Sequence, residues 1–240
     1  MIGYPDALMT AVQANGITIE FETMGSPSNE PMLMVMGHGA QLAYWPTKFL
    51  EDLVAEGFFL VLYDNRDVGK STHFPLGTEY TVNDMAADGM ALLDHLGIES
   101  AHIVGASMGG GIVQVMAIEY PERVRSLCSI MSTTSGPGLP PPPAQVLEWA
   151  MRPQATERAE VIERAVETAH IIGSVDLGID DEAVRARAGV CFDRGHYPEG
   201  RANQSIAIAK AADRTEALGH VTVPTVVIHG TKDLLVHPLG

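Results

Sequence analysis

One stretch of this chain can do nucleophilic chemistry on its own terms: His102-Ile103-Val104-Gly105-Ala106-Ser107-Met108-Gly109-Gly110-Gly111. A serine with glycine two places before and two places after it, between a short apolar run and a helical run, is the context in which a serine oxygen attacks a carbonyl and forms a covalent intermediate. A strand that turns abruptly into a helix forces the serine into a strained backbone conformation, and side chains at positions 105 and 109 would collide. The helix that follows aims its first amides and positive dipole end at the reacting centre, so the Met108 N–H can meet the negative oxygen of a tetrahedral intermediate. The plainer alternative is a glycine-rich structural turn with no chemistry.

The elements around this serine follow a strand and helix rhythm. Residues 17–23 alternate apolar with polar, which predicts a half-exposed edge strand, and 31–36 form a short apolar run ending at Gly37. A helical stretch over 45–55 precedes a buried strand over 58–63. Thr81 and Asp84 offer a capping arrangement for a helix that stops at Gly97. A strand over 102–105, a helix over 108–120 ended before Pro121 and a strand over 127–131 continue the pattern and predict a mostly parallel sheet. The rhythm breaks after Ser135, where GPGLPPPP reads as a stiff extended linker. Residues 144–219 are helical by spacing, as in 159–172 and 181–192, and a strand over 225–229 resumes the sheet. The expected division is a core of residues 1–135 and 220–240 with a helical cap, 136–219, inserted in it.

The bulk numbers narrow the partners. A chain of 240 residues with 46% hydrophobic and 19% charged content suits one packed domain. A formal net charge of -15 disfavours nucleic acid and anionic membrane surfaces, which reward clustered Lys and Arg. No segment approaches 18 uninterrupted apolar residues, and the opening MIGYPDALMTAVQANG has no basic stretch leading into an apolar one, so a cytoplasmic protein is expected. Cys128 and Cys191 lack metal-ligand spacing and are too few for a disulfide framework.

Further motifs agree with the serine in their order along the chain. Tyr63-Asp64-Asn65-Arg66-Asp67-Val68-Gly69-Lys70-Ser71-Thr72 resembles the turn after the fourth strand of the α/β-hydrolase superfamily, and Tyr120-Pro121-Glu122-Arg123-Val124 resembles its exit from the nucleophile helix. Val35-Met36-Gly37 followed by Trp45-Pro46, together with the serine motif, most resembles the aclacinomycin methylesterase-like branch. The resemblance implies an α/β-hydrolase fold with helices on both faces of the sheet, a small-molecule ester substrate, an apolar pocket beneath the cap and no cofactor. It implies a second oxyanion donor from the loop Met36-Gly37-His38-Gly39-Ala40, the His38 amide, whose imidazole is then incidental. It makes Asp233, after the strand that follows the cap, the acid that orients a histidine, and it makes Asp64, Arg66 and Asp67 braces of nearby loops.

That histidine should follow the acid, and no residue here matches it. His237 comes too soon, and His73, His95, His102, His170, His196, His220 and His229 fit no position of the pattern. Two expectations compete: a C-terminally shortened chain lacking a further strand and two helices, or a homologue that binds ligands without turning them over. The leading expectation is hydrolysis of a small carboxylic ester through an acyl-enzyme on Ser107, with cofactor-free peroxidase or carbon-carbon hydrolase activity as alternatives on the same residues.

Overall fold

The computed structural model describes residues 8–240, with side chains from Thr10 onward; the opening residues 1–7, part of the stretch read for a leader, lie outside the described residues. β1 (Leu8–Ala14) and β2 (Ile17–Met24) form a hairpin whose two-residue turn, Asn15-Gly16, takes positive φ at both positions, 48° and 77°. Asn-Gly is the dipeptide that tolerates that geometry, and its twist matches the strands it joins. β3 (Glu30–Val35), α1 (Thr47–Ala55), β4 (Phe58–Tyr63), α2 (Val82–His95), β5 (Ala101–Ala106), α3 (Met108–Glu119) and β6 (Val124–Ile130) follow. Then come α4 (Ala144–Ala150), α5 (Arg158–Ile172), α6 (Asp181–Arg194), α7 (Pro198–Ala209) and α8 (Thr215–Leu218), and the chain returns to the sheet in β7 (Thr225–Ile228).

The seven strands stand in the order β1-β2-β4-β3-β5-β6-β7. Strands β4, β3, β5, β6 and β7 run parallel, and β1 and β2 run antiparallel at one side. Alternation along each central strand splits its side chains between two cores, as a pleated strand requires. Leu33, Val35, Val61, Tyr63 and Ile103 pack with Met85, Leu92, Ile112 and Met116 of α2 and α3. Met32, Met34, Leu60, Leu62 and Val104 pack with Leu50 of α1 and with Leu42 and Trp45 before it. Helices therefore cover both faces, the α/β-hydrolase arrangement expected from the motifs.

The structure revises several local expectations. β2 is not an edge strand: β1 holds the edge, and much of the polar face of β2 is covered as well. Glu20 and Glu22 are both buried, beneath the turn at 64–72 and the end of α6. Alternation shows which residues differ in polarity but not what lies over them. The helix expected from residue 45 begins at Thr47, because Trp45 precedes proline and takes an extended conformation (φ -62°, ψ 134°). The capping arrangement at Thr81 is present in both directions, the hydroxyl accepting the Asp84 N–H and the carboxylate accepting the Thr81 N–H. β7 pairs with β6 alone among the described residues, and its Val226, Val227 and Ile228 are 55%, 68% and 51% exposed.

Candidate active site

Ser107 stands at the junction of β5 and α3 with φ 56° and ψ -120°, a conformation a non-glycine residue adopts only when its surroundings enforce it. The surroundings do so. A Cβ on Gly105 would lie 2.1 Å from the Gly109 carbonyl oxygen, and one on Gly109 would lie 2.2 Å from that of Val35. Glycine at both places lets α3 pack directly against β5 and β3. The Ser107 N–H donates to the Ile130 carbonyl at 2.8 Å, which ties the turn to β6.

The loop after β3 presses against this turn. A Cβ on Gly37 would come within 3.0 Å of Ser107 Cβ and 3.6 Å of its Oγ, so glycine there lets the loop reach the nucleophile. The loop is held at several points: Asn65 Nδ2 donates to the Met36 carbonyl at 3.0 Å, Gly39 N–H to Gln204 Oε1 at 2.7 Å and Leu42 N–H to Asp64 Oδ1 at 2.8 Å. Among the described residues the His38 N–H has no hydrogen-bond acceptor, and the Met108 N–H, first of α3, has no partner within its helix. The imidazole of His38 faces α7 instead, with Nε2 at 2.8 Å from the Arg201 carbonyl and 2.9 Å from Ser205 Oγ. Burial, aided by the nearby Arg201 charge, lowers its pKa to about 4. A neutral ring with Nε2 donating to that carbonyl fits both facts.

Asp233 lies on the loop after β7. Since β5, β6 and β7 are parallel and in register from Ala106 through Ile130 to Ile228, its loop leaves the same edge of the sheet as Ser107. Two strand spacings, about 10 Å, separate the two positions along that edge. Its Oδ1 accepts the Leu235 and Val236 N–H groups, both at 2.9 Å, and its Oδ2 lies 3.3 Å from His229 Nε2, which is also 2.9 Å from the Val236 carbonyl. The i,i+4 spacing of His229 and Asp233 was visible in the sequence, but only the turn brings them into contact. The structure thus unites Ser107, Met108 and His38 and leaves Asp233 farther along the edge. Ser107 Oγ has no hydrogen bond among the described residues. His237 accepts the Leu239 N–H through Nδ1, and His196 lies on the Ala155 carbonyl.

The turn at 64–72 is a brace. Arg66 forms a buried two-toothed pair with Asp88, both contacts at 2.7 Å, and Asp67 accepts the Phe74 N–H and the Tyr80 hydroxyl. Asp64 also receives Arg194 from α6 at 2.8 Å, and Arg194 reaches Glu22 at 3.3 Å. Burial raises the pKa of Glu22, with Arg194 opposing the shift. No sequence signal marked Arg194, Asn203 or Gln204, because the residues of α6 and α7 match no motif. Cys191 is no rival nucleophile, since burial pushes its thiol up to about 12. Among the described residues no three His, Cys, Asp or Glu side chains gather as metal ligands, and no helix is long and apolar enough to cross a membrane.

Residues 30–240 match the family model of the alpha/beta hydrolase fold. The chain belongs to this family. Within it, the chain is 28% identical over 239 residues to the rhodomycin D methylesterase DnrP of Streptomyces peucetius, covering 90% of this chain and 80% of that protein. It is 29% identical to a 2-hydroxy-6-oxononadienedioate/2-hydroxy-6-oxononatrienedioate hydrolase of Cupriavidus pinatubonensis, covering 86% and 72%. Among solved α/β-hydrolase folds, the enol-lactonase of Burkholderia xenovorans superposes with a TM-score of 0.75 at 22% identity, covering 96% of this chain and 84% of that one. The methylesterase similarity agrees with the branch that the motifs resemble.

Proposed function

We propose that this α/β-hydrolase cleaves small carboxylic esters through an acyl-enzyme on Ser107. The observation that carries the reading is the enforced conformation of Ser107, set against the glycine loop that brings the uncommitted His38 N–H beside it. Ser107 Oγ attacks the ester carbonyl carbon, and the His38 and Met108 amides receive the oxygen as it becomes negative. The alcohol leaves with a proton, and water releases the acid from the serine. The proton acceptor of this scheme is a histidine steadied by Asp233, and by the family's chain order it follows the acid. None of the nine histidines in the sequence stands at that place. The ester, rather than a carbon-carbon bond, is favoured by the similarity to the methylesterase, and the partner is a small molecule met in the cytoplasm.

The second reading is a ligand-binding homologue that does not turn over, and it draws on the free Ser107 Oγ. A fluorophosphonate probe separates the two. Labelling at Ser107, located by mass spectrometry and lost in Ser107→Ala, together with p-nitrophenyl acetate turnover, supports the hydrolase. Ester binding with neither labelling nor turnover supports the binder.

A further inference from the structure

The helices between β6 and β7 reach back onto the core. α7 lays a row of polar contacts across two loops of the core, and its two most buried polar side chains, Asn203 and Gln204, are 1% and 0% exposed. Asn203 Nδ2 donates to Asp67 Oδ2 and the Pro75 carbonyl, both at 3.1 Å, and its Oδ1 accepts the Gly77 N–H at 2.8 Å. That residue fastens α7 to the loop that runs on from the 64–72 brace. Gln204 does something different. Its Oε1 accepts the Gly39 N–H at 2.7 Å while its Nε2 donates to the Arg66 carbonyl at 2.9 Å. One amide head joins the glycine loop that carries His38 to the brace.

An amide is the side chain this place requires, because it offers a donor and an acceptor on one rigid group, and a buried carbonyl or N–H left unpaired is costly. The joined loop cannot shift lightly at the other points either, since Arg201 lies against Gly39, where an added Cβ would meet its Cγ and Cδ at 3.2 Å. The next N–H back from the one that Gln204 holds belongs to His38. We propose that Gln204 is a positioning residue of the oxyanion loop: the cap, through this one side chain, sets the angle at which the His38 amide meets the developing oxyanion. The proposal rests on the serine-hydrolase reading of Ser107 and His38. It makes cap docking and oxyanion stabilisation one event, so that a cap displaced from Arg66 and Gly39 leaves the nucleophile in place with a misaimed donor.

The test compares the full chain with Gln204→Leu, which keeps the volume and removes both hydrogen bonds, and with Gln204→Asn, which keeps the amide but shortens its reach. Labelling by a fluorophosphonate is followed over a concentration series to separate the limiting rate from the half-saturating concentration, beside melting and hydrogen exchange of residues 36–42. We expect the limiting rate to fall about 10-fold to 100-fold, up to the cost of misplacing a donor by about 1 Å and below the roughly 100-fold to 1000-fold cost of losing one outright. The half-saturating concentration should change less than about threefold, and exchange at Gly39 should quicken, because its acceptor is gone. A purely structural role would lower the melting temperature with no selective fall in the limiting rate. If Gln204→Leu does not fold, Gln204→Asn carries the measurement. Labelling of both folded variants at the parent rate overturns the proposal and leaves the serine reading standing. A parent chain that never labels at Ser107 overturns both.

Discussion

The nucleophile and the expected acid leave the same edge of one sheet, yet they are held in opposite ways. Ser107 is fixed from every side: β5 is flanked by β3 and β6, α3 is buried from Met108 to Ala117, and glycines let backbone meet backbone at the turn. Asp233 hangs from β7, an outer strand whose apolar residues face solvent, and is held chiefly by groups within its own loop, the Leu235 and Val236 amides and His229. The difference teaches that the strained serine is bought by packing, whereas the acid is oriented by local hydrogen bonds. Changes to the glycines packed around the first should damage the fold, whereas changes to the reactive groups themselves, the Ser107 hydroxyl and the Asp233 carboxylate, should damage function first.

The strongest test of that contrast is Ser107→Ala in protein that also carries the proton-accepting histidine, where the proposed mechanism predicts that ester turnover falls by a factor on the order of 10⁶ while melting stays within a few degrees of the parent. Activity within tenfold of the parent would refute the serine mechanism. Asp233→Asn should cost less, on the order of 10⁴ in turnover, again with little change in melting, because its partners are local. A collapse in melting for Asp233→Asn would break the comparison from the other side.

Gly105→Ala probes the packed side. Its Cβ has no room beside the Gly109 carbonyl, and the backbone on both sides must move, so we expect a loss on the order of 4 kcal/mol in urea unfolding, or no folded protein. A loss under about 1 kcal/mol would show that the turn yields more easily than its packing implies.

A smaller effect comes from His38. Its folded pKa, about 4, lies below the ordinary value of 6.5, so between those two the unfolded chain binds more protons. Stability is therefore full above pH 6.5 and declines as pH falls toward 4. Buried Glu22 and Asp88 have raised pKa values and contribute with the opposite sign, while His102, also lowered by burial, adds to the decline, so His38 is one contributor among several. His38→Gln, compared with the parent by urea unfolding across that window, should flatten the acid-side decline; an unchanged slope would remove His38 as its source. The smallest effect is expected at the loose edge. Val227→Lys places a charge on the exposed outer strand and should change stability by less than about 0.5 kcal/mol while reducing self-association in sedimentation. Unaltered sedimentation would mean that this strand is not a contact surface.

Much of the core was legible because its signals are local. A strand, two spaced glycines and a helix announce Ser107 wherever they occur, since the collision that demands glycine happens among neighbours in the chain. Thr81 and Asp84 cap a helix from three residues apart, and Asn15-Gly16 closes the β1–β2 hairpin by a signal just as local. Asp233 was legible only as an acid after a strand; its link to His229 needed the turn to form.

What tertiary structure alone decided is which polar groups meet across the chain. Glu20 and Glu22 look like the wet face of an edge strand until α6 brings Arg194, from 172 residues away, over Glu22. Gln204 is one unremarkable amide in a helical run until folding sets it between Gly39 and Arg66, 165 and 138 residues distant. Backbone propensity and hydrophobic period act over a few residues and can be read in sequence. The partner of a buried donor or acceptor is chosen by the packing of whole elements, because only then is water excluded and the cost of leaving that group unpaired incurred.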